Sequence, residues 1–309
     1  MAYNFKEEMN KPERFAGGHR LCAGCGAGVM ARNVLRAIDE DDNIAIVNAT
    51  GCLQAATFSY PYITWEDSWI HSAFENAGAT CGGMEAAYRA LEKRGKVKEK
   101  YKFLAFGGDG GSYDIGFQSL SGAMERNHDM VYICYDNEAY MNTGIQRSSS
   151  TSRFTDTTTT PAGSVVPGKP QNKKNLTEIM VAHSIPYVGQ TTFLANMKDL
   201  NEKTKKAVYT EGPAFLNVLA PCTRGWRYDM ADLLDITKAA VETCFWPLFE
   251  VENGKYKLTY EPKKKLPIEE YLRPQGRFKH MFKKGNEWMI EEFQKEVDLK
   301  WEMLLKKCE

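Results

Sequence analysis

Two polar, glycine-rich clusters carry most of the chemical potential of this sequence. Gly107-Gly108-Asp109-Gly110-Gly111 follows the apolar run 101–106, and Asp136-Asn137-Glu138-Ala139-Tyr140-Met141-Asn142-Thr143-Gly144 follows a second run at 130–135. Glycines let backbone N–H groups come close to a bulky anion. No Lys-Ser or Lys-Thr follows them, so this is not a Walker-type phosphate loop. Asp109 is instead a hard oxygen ligand, and Asn137 offers a second oxygen from the next strand end. Such a pair suits magnesium, whose shell would be completed by diphosphate oxygens and water. A bare Gly-Asp-Gly also fits an ordinary acidic turn.

Four cysteines form a second group. Cys22 and Cys25 make a Cys-x-x-Cys loop, Cys52 ends Ala49-Thr50-Gly51-Cys52, and Cys222 opens Cys222-Thr223-Arg224-Gly225-Trp226. All are expected in loops at the same end of the sheet as Asp109 and Asn137. Four thiolates suit zinc or an iron–sulfur cluster. A structural zinc site usually brings two Cys-x-x-Cys pairs, and only one is present, which favours a cluster; unligated thiols are the remaining reading. Cys81, Cys134 and Cys244 fall inside expected elements and Cys308 in the tail, as core or incidental thiols. The histidines (19, 71, 128, 183 and 280) have no metal-ligand spacing.

These loops need a scaffold, and the hydrophobic pattern supplies one. Strands are expected at 43–48, 101–106, 130–135, 187–188 and 214–220. Helices are expected at 27–40, 74–94, 115–126, 176–184, 197–210 and 235–245. Strands alternating with helices predict an α/β fold, a parallel sheet with helices on both faces and ligands at the carboxyl ends of the strands. Small residues in 74–94 would let that helix approach the sheet. Residues 53–73 read as irregular. Residues 147–175, rich in Ser, Thr, Pro and Gly, read as a loop over the site or at a subunit interface. The chain divides into an arm at 1–18, an α/β domain at 19–246 and an extension at 247–309, with a helix near 291–305, that clasps the domain or a neighbour.

Lysine plus arginine equal aspartate plus glutamate at 40 each in 309 residues, so no net field favours nucleic acid or an anionic membrane. No apolar run approaches the ~20 residues of a spanning helix. A cytoplasmic location with reduced thiols is expected.

Gly-Asp-Gly followed by Asn resembles the thiamin-diphosphate fingerprint. Together with Cys22 to Gly26, Ala49 to Cys52, Trp69-Ile70-His71 leading into Phe74 to Ala77, Tyr135 to Arg147 and the Cys222-x-x-Gly225-Trp226 turn, it resembles the beta subunit of 2-oxoacid:ferredoxin oxidoreductases, above all those acting on pyruvate. The likeness runs from about Gly18 through the tail. It implies a thiamin-diphosphate-binding fold with a [4Fe–4S] cluster on Cys22, Cys25, Cys52 and Cys222, proximal to thiamin diphosphate. Magnesium would be held by Asp109, the Asn137 side chain and the Ala139 carbonyl. Gly108, Gly110, Gly111, Glu138, Tyr140, Met141 and Asn142 would line the diphosphate and thiazolium, with Thr50 and Gly51 beside them.

The resemblance further implies reversible oxidative decarboxylation of a 2-oxoacid to carbon dioxide and acyl-coenzyme A, with one-electron transfer to ferredoxin. Pyruvate is the default substrate, with branched-chain 2-oxoacids and oxalate as alternatives. Alpha, gamma and/or delta subunits would complete the enzyme. In single-chain relatives a cofactor-contacting glutamate stands two residues after the second cysteine, where this chain has Ala27. The glutamate that activates the aminopyrimidine belongs to the alpha subunit; Glu75 does not match it. No ferredoxin-like Cys-x-x-Cys-x-x-Cys-x-x-x-Cys run is present. The rival reading is a non-catalytic, metal-stabilised interaction subunit; a damaged metal turn would mark it, yet Asp109 and Asn137 are intact.

Overall fold

A computed structural model of the chain describes residues 3–309. Among the described residues, ten strands form in chain order: β1 Asn43–Ala49, β2 Phe58–Ser59, β3 Tyr62–Ile63, β4 Ser68–Ser72, β5 Tyr101–Gly108, β6 Val131–Asp136, β7 Tyr187–Thr192, β8 Ala214–Leu219, β9 Phe249–Glu252 and β10 Lys255–Leu258. Eight make one sheet in the order β10-β9-β7-β8-β6-β5-β1-β4, while β2 and β3 form a separate hairpin. From β4 to β7 every pairing is parallel. β9 and β10 add antiparallel to the β7 edge.

Alternation along each strand separates two cores. Ile44, Ile46, Leu104, Phe106 and Ile133 face a layer containing the helices Gly26–Arg36 and Lys198–Tyr209. Ala45, Val47, Phe103, Ala105 and Tyr132 face Ala77–Lys93, Phe117–Glu125 and Leu176–Ala182. Burial on both faces explains why these strands read as nearly continuous apolar runs. The expected α/β class is therefore the observed one.

Several expectations need correction. Residues 53–73 are not irregular: β4 pairs parallel with β1 and supplies the far edge of the sheet. Its half-exposed pattern lacks the apolar run that marks a central strand. The glycines of Ala77–Lys93 serve helix packing more than approach to the sheet, since a Cβ on Gly78 would stand 3.0 Å from the Leu120 backbone. After Gly108 the chain winds at once into a wide π-helical turn, Gly110–Ile115. The N-terminal arm includes a helix, Phe5–Asn10, and is tied down by Arg14, which donates to the carbonyls of Asp39, Glu40 and Asp42.

Segment 147–175 has no helix or strand, as expected of a loop; Ser148, Ser150, Thr151, Ser152, Thr155 and Lys169 are buried against the site, while 158–166 is mostly exposed. The C-terminal extension is continuous with the main sheet through β9 and β10, then closes with the helix Glu287–Cys308. Among the described residues, no helix is long and apolar enough to cross a membrane.

Candidate active site

The chain steps from β1 outward to β4, then returns to β5 on the other side of β1. Such a reversal opens a crevice at the carboxyl ends of the two strands. Thr50-Gly51-Cys52 leaves β1, and Gly108-Asp109 ends β5. Asn137 leaves β6, and Cys222 follows β8 by three residues. One pocket is lined by Thr50, Gly51, Cys52, Gly108, Asp109, Gly110 and Gly111 from the first two loops, and by Asn137, Ala139, Tyr140, Met141 and Asn142 from the third. Of the expected cofactor residues, only Glu138 lies outside this set.

Asp109 is 1 % exposed, and Ser148 Oγ donates to its Oδ2. Burial first, and Asp136 second, push its carboxyl well above the usual range. The Asn137 amide oxygen stands 2.8 Å from the Ala139 carbonyl and 2.9 Å from Asp109 Oδ1. The Asn137 amide oxygen thus faces two other oxygens and no N–H donor. Turning the amide over would let its nitrogen donate to both; a cation among them would serve the same end. The separations match the edge of a magnesium octahedron, about 3.0 Å for ligands at about 2.1 Å.

The pocket is narrow, about 20 Å³, because Tyr140 lies across it. Tyr140 Oη donates to the Gly110 carbonyl at 2.9 Å, and a Cβ on Gly110 would stand 2.3 Å from the ring. At the mouth, Thr50 Oγ1 is 2.8 Å from His71 Nε2.

Behind the turn, Glu138 adopts a left-handed φ of 65° and points its carboxylate into the protein. Its Oε2 is 2.6 Å from Arg277 Nη2 and its Oε1 is 3.1 Å from Lys173 Nζ. Lys173 also holds Asp136 at 2.8 Å, and Tyr113 donates to the same carboxylate. Although burial opposes it, the two cations hold the Glu138 carboxyl below its ordinary value. Sequence reasoning missed Lys173, Arg277 and Ser148. The run Ser148-Ser149-Ser150-Thr151 was a signal for the last, but nothing local marks a lysine or arginine as buried.

Cys22, Cys25, Cys52 and Cys222 all line a second cavity of about 210 Å³. Among the described residues, no three His, Cys, Asp or Glu side chains close on one ion position; the thiols surround a space instead. Burial raises Cys25 to about 11 and Cys52 to about 12, with the neighbouring thiols adding to it. The Gly225 N–H donates to Cys222 Sγ at 3.4 Å, the kind of contact that stabilises a thiolate. Cys52, Asn137 and Asn142 line both cavities. Cys81, Cys134 and Cys244 are buried in the cores as expected.

Residues 49–218 match the family described as thiamine pyrophosphate enzyme, C-terminal TPP binding domain. The pyruvate synthase subunit PorB of Methanocaldococcus jannaschii is 52% identical over 96% of this chain and 98% of its own. The ketoisovalerate oxidoreductase subunit VorB of Pyrococcus furiosus is 44% identical over 99% and 97%. A 2-oxoglutarate:ferredoxin oxidoreductase from Magnetococcus marinus shares the fold, with a TM-score of 0.55 at 19% identity over 77% of this chain and 84% of that one. The chain belongs to the thiamin-diphosphate-binding subunits of the 2-oxoacid:ferredoxin oxidoreductase family, alongside the PorB subunits of pyruvate synthase.

Proposed function

We propose that this chain binds magnesium and thiamin diphosphate at the Asp109–Asn137 pocket and a [4Fe–4S] cluster at the four cysteines. With alpha, gamma and/or delta subunits it oxidatively decarboxylates a 2-oxoacid, pyruvate by preference, passing electrons to ferredoxin and the acyl group to coenzyme A, reversibly. The observation that carries this reading is the shared wall: Cys52, Asn137 and Asn142 face both cavities, so the two cofactors would be neighbours.

The donor sets fit the two groups. Asp109 Oδ1, the Asn137 amide oxygen and the Ala139 carbonyl form a hard-oxygen set short of positive charge. The four thiols ring a space larger than one ion needs, whereas a single zinc ion draws four sulfurs to about 2.3 Å of one point. Burial disfavours the ionised forms of Asp109 and Cys52, and a bound cation would favour them, so metal binding would be linked to proton release. When bound, thiamin diphosphate supplies the carbanion chemistry that decarboxylates a 2-oxoacid.

The chain's own groups do the rest. Gly108, Gly110 and Gly111 leave backbone accessible to the diphosphate, and Ser148 holds Asp109 in place. Tyr140 and Phe74, with ring centroids 6.1 Å apart, line the pocket as its aromatic wall. With all eight cysteines free, a reducing, cytoplasmic setting is proposed.

Iron and acid-labile sulfide on anaerobically purified complex test the cluster; about four of each per chain at the thiol site is expected, and none would refute it. Ferredoxin reduction against a panel of 2-oxoacids tests the substrate. A branched-chain 2-oxoacid is the second reading, favoured by the ketoisovalerate-type relative, and a higher kcat/KM for it than for pyruvate would replace the first. Oxalate belongs in the same panel.

A further inference from the structure

The two cavities are joined by one tryptophan. Trp226, fully buried, lies four residues past Cys222, and its indole N–H donates to the Asn137 carbonyl at 2.7 Å. The loop carrying the fourth cysteine is therefore bonded to the residue whose side chain completes the oxygen set. Closer still, a Cβ on Gly225 would meet Met141 Sδ at 2.1 Å, so the two turns touch with no room between them.

Arg277, from the far C-terminal extension, clamps this joint. Its guanidinium lies 3.9 Å from the Trp226 ring centroid and 2.6 Å from Glu138, both members of the ion pair being at most 1 % exposed. Gln275 and Tyr271 accept from the same guanidinium at 2.8 and 3.1 Å, fixing its plane. Gly276 N–H donates to the Arg227 carbonyl, seating the extension beside Trp226.

Stability alone gives little reason for such an arrangement. A fully buried ion pair is often no better than apolar residues of the same volume, because desolvating two charges offsets their attraction. What the pair does hold is a non-glycine residue at φ 65°, between Asn137, whose amide faces Asp109, and Ala139, whose carbonyl faces that amide.

We propose that Arg277 and Trp226 are positioning residues that lock the cofactor turn to the Cys222 loop, so that the C-terminal extension sets the geometry between the two cofactor sites. The proposal rests on the function proposed above. Linkage makes the coupling reciprocal: a ligand at one site that changes affinity at the other has its own affinity changed by the same factor.

The test uses the whole complex, stripped of thiamin diphosphate and then given thiamin diphosphate with magnesium, as wild type, Trp226→Phe and Arg277→Lys. Trp226→Phe keeps an aromatic face but removes the N–H together with the pyrrole ring; Arg277→Lys keeps the charge and removes the flat, stacked guanidinium. Hydrogen exchange by mass spectrometry should show slower exchange across 222–228 in wild type on cofactor addition. In both variants that protection should fall at least fivefold and the cofactor Kd should rise about fivefold to tenfold, the worth of one hydrogen bond. Calorimetry checks that both variants are folded. Undiminished protection and unchanged Kd in the two variants, or no protection of 222–228 in wild type, would overturn the proposal. If wild type carries no iron, the cluster assignment fails instead, while the exchange and affinity results still decide this one.

Discussion

Replacing Gly26 by alanine sets two magnitudes against each other. Gly26 begins the helix Gly26–Arg36 immediately after Cys25, and helix propensity alone favours alanine by about 1 kcal/mol. The added Cβ, however, would stand 2.8 Å from the Ala220 carbonyl carbon, 2.8 Å from Pro221 N and 2.9 Å from Pro221 O, against 3.4 Å for ordinary contact. Backbone must therefore move by about 0.6 Å, and the backbone that moves is the approach to Cys222. Overpacking of this kind costs about 1–3 kcal/mol, so the steric term wins. It would also lengthen the Gly26 N–H to Pro221 carbonyl bond, now 2.9 Å, and draw Cys25 away from Cys222. Gly28→Ala is the control on the same helix, since its Cβ would meet only the flexible end of Leu21. Calorimetry and iron per chain are the assays. Gly26→Ala should lower Tm by a few degrees and lose iron, whereas Gly28→Ala should do neither. Equal Tm and equal iron in the two variants would refute the steric reasoning.

Three further outcomes follow from the site. Asp109→Asn removes the one formal negative ligand of the oxygen set, so thiamin diphosphate with magnesium should no longer be retained while iron is kept; retention measured by gel filtration at wild-type level would contradict the metal assignment. Ser148→Ala removes a charge-assisted hydrogen bond to Asp109, and cofactor Kd by calorimetric titration should rise about tenfold or more. Lys169 is buried with carbonyl partners, and burial, aided by Lys173 and Arg147, lowers it to about 8. The unfolded chain then binds more protons than the native one between about pH 8 and 10.5, so this residue's contribution to stability rises across that window and is lost as pH falls through 8. Lys169→Met should flatten the pH dependence of denaturant unfolding there, by at most about 1.4 kcal/mol per pH unit; a wild-type slope in the variant would count against the lysine.

Much of the site was legible because parallel strands advertise themselves and ligands gather at their carboxyl ends. The runs at 43–48, 101–106 and 130–135 each became a strand, and the turns after them became walls of one pocket. The four cysteines were placed together by the same logic, although they surround a cavity rather than meet at a point. What stayed hidden depends on tertiary context. β4 is an edge strand with polar, exposed positions, so periodicity does not find it. The Ser/Thr-rich segment is a loop against the site, as expected, but which of its hydroxyls are buried was not legible, because buried and solvated hydroxyls look the same in sequence; here Ser150 donates to Asp136 and Ser152 to Glu138. Glu138 looked like a cofactor ligand by position, and only its left-handed backbone turns it toward Arg277, which lies far along the chain.

The central claim, that four cysteines hold a one-electron acceptor beside the thiamin site, is tested most directly by a pair of substitutions. Cys52 lines both cavities, while Cys134 is wholly buried in β6. In the full complex, Cys52→Ala leaves three thiolates and should lose iron, the low-temperature EPR signal of the reduced protein and ferredoxin-linked turnover. Cys134→Ala should keep all three and lose only about 1 kcal/mol of packing. A full complement of iron and normal turnover in Cys52→Ala, with both lost in Cys134→Ala, would contradict the account.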